Sequence, residues 1–426
     1  MTTPLPQDRP IFSFYGDDFT GSTDALEALA VNGLPAVLFL RPPGATDLAR
    51  FGGCRALGIA GESRSRTPQW MRQELPPVFH CLRKIGAPIV QYKVCSTFDS
   101  SPEIGSIGCA IEIGQQVFGS GPVGVVAAAP LLERYVVFGN LFAMGGNGIH
   151  RIDRHPAMRK HPTTPMDEGD LLRHLGRQTR RRLAGVNLLE LREHPFGWPT
   201  EAEAVLFDGL EPADMVLTAQ LIWEHRATPQ TFVAGSSGFT YGLMDYWRSQ
   251  GWLPQATASV LSGGGRQERI LVLAGSCSPA TEAQIRSALR SGFCGIRLHP
   301  REMNACAAER EAVAQLSAGR SVILYTALGP ADRVEIDNQP ALGAAMGRLL
   351  CRVILASGVR RVVVAGGDTS SHAARELGIT ALTFLATLAR GAPLCLAHGW
   401  QDHLELVLKG GQIGSESFFE EVLSWT

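Results

Sequence analysis

Two adjacent aspartates stand in "YGDDFTGSTD" (15–24), directly after the apolar run "IFSF" and just ahead of a helix-like stretch. An aspartate in that place can take a proton from a hydroxyl or hold a metal ion. The free N–H groups that open a helix attract a carboxylate or phosphate. Helix capping would account for any one of these residues, but less readily for two acids beside Thr20, Ser22 and Thr23. Asp17, Asp18 and Thr20 are therefore candidates for binding a hydroxylated small molecule, with either aspartate as the activating base.

A second cluster follows "PIVQYKV" (88–94), running Lys93, Val94, Cys95, Ser96, Thr97, Asp99 and Ser100. A lysine among hydroxyl donors suits an acidic, polyhydroxylated molecule. Arg64, in "GESRSRTP", adds a planar donor fork matched to a carboxylate. The later part of the chain is different in kind. There "LAGSCSP" (273–279), "VVVAGGDTSSHAA" (362–374) and "VLKGGQIG" (407–414) each end an apolar run in glycines and hydroxyls. Glycine lets the backbone approach a ligand, and successive N–H groups form an anion nest. Three such turns point to a nucleotide phosphate site.

The elements that must position these groups read as an α/β alternation. Apolar runs at 11–15, 36–40, 55–60, 88–94, 123–129, 202–208 and 231–235 predict the strands of a first sheet. Runs at 269–275, 292–298, 321–326, 360–367 and 404–411 predict those of a second. Helix-length segments lie between them, such as 23–33 ending at Gly33. The expected fold is two domains, each a mostly parallel sheet flanked by helices, with the active site in the cleft between them. In open sheets of this kind ligands bind beyond the carboxyl ends of the strands, where the clusters fall. The small, polar, glycine-rich stretch 254–268 is read as a linker between domains 1–253 and 269–426, and its glycines would permit closure.

Several chemistries are disfavoured. The chain of 426 residues has a net charge of −1, which gives no electrostatic footprint for nucleic acid or a membrane surface. Nine cysteines without a CxxC pair argue against a disulfide framework and a zinc site of ordinary spacing. His155, His161 and His174 are separated by 6 and 13 residues, which matches no metal-binding pattern, so that stretch reads as a polar loop entering a helix near Asp170. GxxxxGK[ST] is absent, and "GSGPVG" (119–124) leads into a strand instead of opening a helix. Cys277 is read as a packing residue, and Trp198, Trp223, Trp247 and Trp252 as core or interface. With no apolar leader or long apolar run, the expected location is the cytoplasm.

Taken together, "GDDFTGSTD" (16–24), "KVCSTFDSS" (93–101), "GSCSPAT" (275–281), "AGGDTSS" (365–371) and "LKGGQIG" (408–414) resemble the four-carbon acid sugar kinase family. The resemblance runs in the same order from about residue 11 to about residue 419. It implies an N-terminal domain binding the acid sugar, a C-terminal domain binding ATP, and Mg²⁺-assisted phosphoryl transfer to a hydroxyl, typically the terminal one, of 3-oxo-tetronate, threonate or erythronate. On that basis Asp17 or Asp18 serves the attacking hydroxyl, and Arg64 and the Lys93–Thr97 turn hold the substrate. Ser276, Gly366, Gly367, Asp368, Thr369, Gly410 and Gly411 cradle ATP. The implied partners are a sugar acid and ATP, with no nucleic acid or membrane and a homodimer as the candidate assembly. Cys95 stands where many members carry aspartate, and "CSTFDS" looks more like the 3-oxo-tetronate branch. A kinase of another small hydroxy acid and a non-catalytic metabolite-binding module stay open as alternatives.

Overall fold

A computed structural model describes residues 5–425 apart from 120, 147, 162, 194–197, 200, 227–228, 255–264, 302–304, 333 and 335–338, and apart from the side chains of 339, 340 and 368. Most of the expected linker therefore lies outside the described residues. The chain divides into two compact units, one of residues 1–37 and 41–258, the other of residues 38–40 and 259–426.

In the first unit, seven parallel strands lie in the order Ala56–Ala60, Phe12–Gly16, Ile89–Lys93, Thr231–Gly235, Val123–Val126, Ala204–Phe207 and Leu183–Val186. Strands such as Phe12–Gly16 are buried along their whole length, so they read as continuous apolar runs and not as alternations. Gly58 sits where the Phe14 ring crosses the neighbouring strand, and a Cβ there would lie 2.1 Å from the ring. The helix Pro68–Ile85 starts on a Thr67 cap with proline in its first turn and stops at Gly86, whose φ is +78°. It lays Met71, Leu75, Phe79 and Leu82 into the core at helical spacing. Trp223 and Trp247 meet edge to face in this unit, 5.2 Å apart and buried, as packing residues.

A small antiparallel sheet, Arg134–Val137, Asn140–Gly145 and Gly148–Arg151, was not foreseen from the sequence. Its first hairpin turns at Phe138 and Gly139, with φ of 48° and 73°. Such two-residue turns normally announce themselves as Asn-Gly or Asp-Gly. Here the strain at Phe138 is held by a distant group, since the Asp208 carboxylate accepts both turn N–H groups at 2.5 and 2.9 Å.

The second unit orders its strands Cys294–Arg297, Val322–Tyr325, Leu271–Ala274, Arg361–Ala365, Leu404–Lys409, Ala392–His398 and Ala381–Ala389. The first five are parallel and the last two antiparallel. That closing hairpin is also absent from the sequence expectation. One face of the sheet packs Val272, Val363, Ala365 and Val407 against Ile285, Phe418 and Val422. At the start of the central strands, the fully buried Arg361 and Glu405 pair at 2.6 Å. Among the described residues, no helix is long and apolar enough to cross a membrane.

Candidate active site

Gly16, Ala60 and Lys93 are aligned at the carboxyl ends of three adjacent parallel strands. The chain that leaves each of them enters one polar cluster. Asp18 has extended backbone and caps the helix Phe19–Ala30, which starts four residues earlier than the sequence pattern suggested. Its Oδ1 accepts from the Gly21 N–H at 2.7 Å and its Oδ2 from the Thr20 hydroxyl at 2.8 Å.

Arg64 binds both aspartates. It donates from Nε and Nη2 to Asp17 at 3.1 and 2.6 Å, and from Nη1 and Nη2 to Asp18 at 2.8 and 3.0 Å. Four of its five N–H groups are engaged this way, which leaves one without a partner among the described residues. Arg64 is therefore first a positioning group for the acid pair, not the free fork that its place in the sequence suggested.

The two aspartates separate on these contacts. A carboxylate has about four acceptor positions. Those of Asp18 are filled by Gly21, Thr20 and two contacts from Arg64. Among the described residues, Asp17 takes only the two from Arg64. Burial pushes the Asp17 carboxyl up to about 6, with Arg64 opposing and Asp18 reinforcing the rise. The same two acids drive the Arg64 guanidinium well above its ordinary value, against the opposing effect of burial.

Lys93, 2% exposed, pairs with Asp24 at 2.9 Å and donates to the Val94 carbonyl at 3.1 Å. The turn beyond it is wound tightly. Phe98 adopts φ of 55° and is fully buried, and the Thr97 hydroxyl bonds Asp99 at 2.5 Å and Cys95 at 2.9 Å. Ser96 and Thr97 are nearly buried beside them. Burial raises the Cys95 thiol, so it stands as a thiol and not as a nucleophilic thiolate.

Three histidines that carry no metal pattern have structural work here. His174 bonds Ser100 at 2.9 Å, and Ser100 also receives Gln178 at 2.9 Å and donates to the Phe98 carbonyl at 3.0 Å. His161 bonds Thr164 at 3.1 Å, and Thr164 donates to Asp99 at 3.2 Å. His155 accepts from the N–H groups of Ala157 and Met158. Asp24, Thr164 and His161 were missed as site residues. Asp24 was legible as the third acid of its motif, but Thr164 lies 65 residues from Asp99 and carries no local signal.

In the second unit, Ala274, Ala365 and Lys409 likewise end adjacent parallel strands. Gly366 has φ of +122°, and Gly367 opens the helix Gly367–Glu376. A Cβ on Gly275 would lie 2.0 Å from the Thr369 hydroxyl, and one on Gly411 would lie 2.2 Å from the Ser276 hydroxyl. The Gly411 carbonyl accepts from Thr281 at 2.9 Å and also from Ser278. Gly410 continues the same turn, and the Asp368 side chain lies outside the described ones. The turns are thus lined by glycine backbone and hydroxyls with a helix start at one edge, a donor set that fits nucleotide phosphates.

Residues 12–243 match the model of a sugar-binding N-terminal domain, and residues 271–419 that of a nucleotide-binding C-terminal domain. The chain belongs to the four-carbon acid sugar kinase family. The kinase is 43% identical to the 3-oxo-isoapionate kinase of Paraburkholderia graminis, over 96% of this chain and 93% of that one. It is 31% identical to the 3-oxo-tetronate kinase of Cupriavidus necator, over 99% of both. A crystal structure from Salmonella typhimurium LT2 superposes with a TM-score of 0.75 at 26% identity, covering 97% of the kinase and 98% of that chain. One from Haemophilus influenzae shares the fold at a TM-score of 0.70 and 22% identity, with 96% and 98% covered.

Proposed function

We propose that this kinase transfers the γ-phosphoryl group of ATP to the terminal hydroxyl of a 3-oxo sugar acid, with Asp17 as the general base. The open acceptor positions of Asp17 carry this reading, because a base needs a free lone pair facing the hydroxyl proton. An Asp17 carboxyl at about 6 is largely ionised at neutral pH yet basic enough to accept a proton. Asp18, saturated, holds Arg64 and the helix start. Lys93, Val94, Cys95, Ser96, Thr97 and Thr20 line the substrate position, with the remaining Arg64 N–H available to the sugar acid.

Ser276, Gly366, Gly367, Asp368, Thr369, Gly410 and Gly411 form the ATP cradle in this reading. Mg²⁺ accompanies ATP and neutralises charge on its phosphate oxygens. The identity of 43% to a 3-oxo-isoapionate kinase, against 31% to a 3-oxo-tetronate kinase, favours the former type of substrate. The reaction is placed in the cytoplasm, where ATP is at hand, and a homodimer is the assembly to look for by light scattering.

The test is ADP release from ATP and Mg²⁺ with 3-oxo-isoapionate, 3-oxo-tetronate, threonate and erythronate in parallel. Turnover is expected to be highest on 3-oxo-isoapionate. Turnover confined to 3-oxo-tetronate would move the substrate within the class, and silence on both 3-oxo acids would overturn the reading.

A further inference from the structure

Lys409 ends the strand Leu404–Lys409 and is fully buried. Its carbonyl accepts from the Gly366 N–H at 2.9 Å, and Gly410 and Gly411 follow it directly. Strand alternation puts its side chain on the face of Glu405 and Val407, against the helices Pro279–Arg290 and Phe418–Ser424. Its Nζ lies 5.8 Å from the centre of the Phe418 ring and has no hydrogen-bond partner among the described residues.

Among the described residues, no carboxylate on the surrounding elements forms an ion pair with Lys409. Glu405 pairs with Arg361, Glu282 with Arg286, and Glu416 with Arg290. Glu420 accepts from Ser287 and Ser291 at Oε1, with its buried Oε2 bonded neither to Lys409 nor to another described residue, and Glu421 accepts from Ser415 and Ser417. Thr281 and the Gln284 Nε2 face the same region and donate to the Gly411, Ile413 and Ser415 carbonyls, and the buried Gln284 Oε1 is not bonded to Lys409. The positive end of the helix that starts at Pro279 adds to the excess of positive charge. Burial with no compensating partner lowers the amine to about 7.

An unpaired buried cation is unfavourable, and the missing partner here is an anion. We propose that Lys409 is a phosphate-responsive residue of the nucleotide site: a nucleotide polyphosphate at the Ser276, Gly366 and Gly410 turns supplies the negative charge that the buried amine lacks, and Nζ takes up a proton from solvent as the nucleotide binds. The inference rests on the nucleotide reading of the second domain and adds to it the residue that senses the phosphate.

The test is titration calorimetry of the full chain with ATP and Mg²⁺ at pH 8, in two buffers of different ionisation enthalpy. Wild type is expected to take up close to one proton per nucleotide. Lys409→Met is expected to lose that uptake and to bind ATP roughly 10- to 100-fold more weakly, the range of one charge-assisted hydrogen bond. Its nucleotide-free form is expected to melt a few degrees higher, because a buried amine without a hydrogen-bond partner has been replaced by an apolar side chain. A lysine with a merely structural role would give a lower melting temperature and leave the proton count alone. Lys409→Met binding ATP as tightly as wild type, or wild type binding ATP with no proton uptake, overturns the proposal, and the second result stands even if the variant fails to fold. No binding of ATP to wild type would instead overturn the nucleotide reading itself.

Discussion

The two strand-end clusters of this kinase handle charge in opposite ways. In the first unit, Asp17, Asp18, Arg64, Lys93 and Asp24 are locked into ion pairs of 2.6 to 2.9 Å. In the second, the turns at Gly275, Gly366 and Gly411 are glycines and hydroxyls, and the nearby Lys409 has no hydrogen-bond partner among the described residues. The first site is preorganised: its charges are already oriented, so little needs to rearrange when a hydroxyl must lose a proton. In the second, on the reading proposed above, a phosphate-bearing ligand contributes the missing charge. The difference matches the tasks of orienting a small reacting molecule and gripping a polyanion.

The sharpest way to break the contrast is Asp17→Asn. It keeps the shape and removes the base, so kcat is expected to fall by roughly 10²- to 10⁴-fold, with ATP affinity unchanged in calorimetry. An equal loss in Asp18→Asn with no loss in Asp17→Asn would reverse their roles. In wild type, kcat/KM should decline as pH falls through about 6, where Asp17 protonates. The stability contribution of this group has the other sign. Its folded value is raised above the ordinary 3.8, so the native state binds more protons between the two values. That contribution therefore weakens as pH rises through the window. His174 opposes it: burial lowers it to about 4, so its contribution is present above its ordinary 6.5 and is lost as pH falls from there toward 4.

Arg64→Met addresses the locked cluster directly. Two nearly buried carboxylates would lose their counter-charge, and a destabilisation of roughly 3 kcal/mol is expected in urea unfolding. A loss below about 0.5 kcal/mol, the size typical of surface pairs, would mean that the cluster is not preorganised by its ion pairs. The smallest effect expected is from Gly105→Ala. Gly105 has φ of +65°, and a Cβ there would lie 2.3 Å from the Arg64 carbonyl. A cost of roughly 1–3 kcal/mol follows from strain of this kind, along with a reduced kcat as Arg64 shifts. Unchanged kinetics and stability would show that the Arg64 backbone can move freely.

Much of this was written locally. Continuous apolar runs mark doubly covered parallel strands, because a strand buried on both faces has no polar side to show. The motifs at 16–24, 93–101 and 365–371 are visible because each occupies one strand end, with all its chemistry within a few residues. The small sheet at 134–151 escaped notice because its Phe-Gly turn is held by Asp208, about 70 residues away. Thr164 and His161 escaped for the same reason, reaching Asp99 only through the fold.

The sequence by itself determined the class of fold, the family and the positions of the acids, hydroxyls and glycines, since these depend on periodicity and on short spacings. Only the tertiary structure decided which charges are paired. Whether Asp17 or Asp18 keeps an open lone pair, whether Arg64 is free, and whether Lys409 meets a counter-charge all depend on groups brought together from distant strands. Electrostatic energy depends on distance through space and on burial, and neither is written in the spacing along the chain.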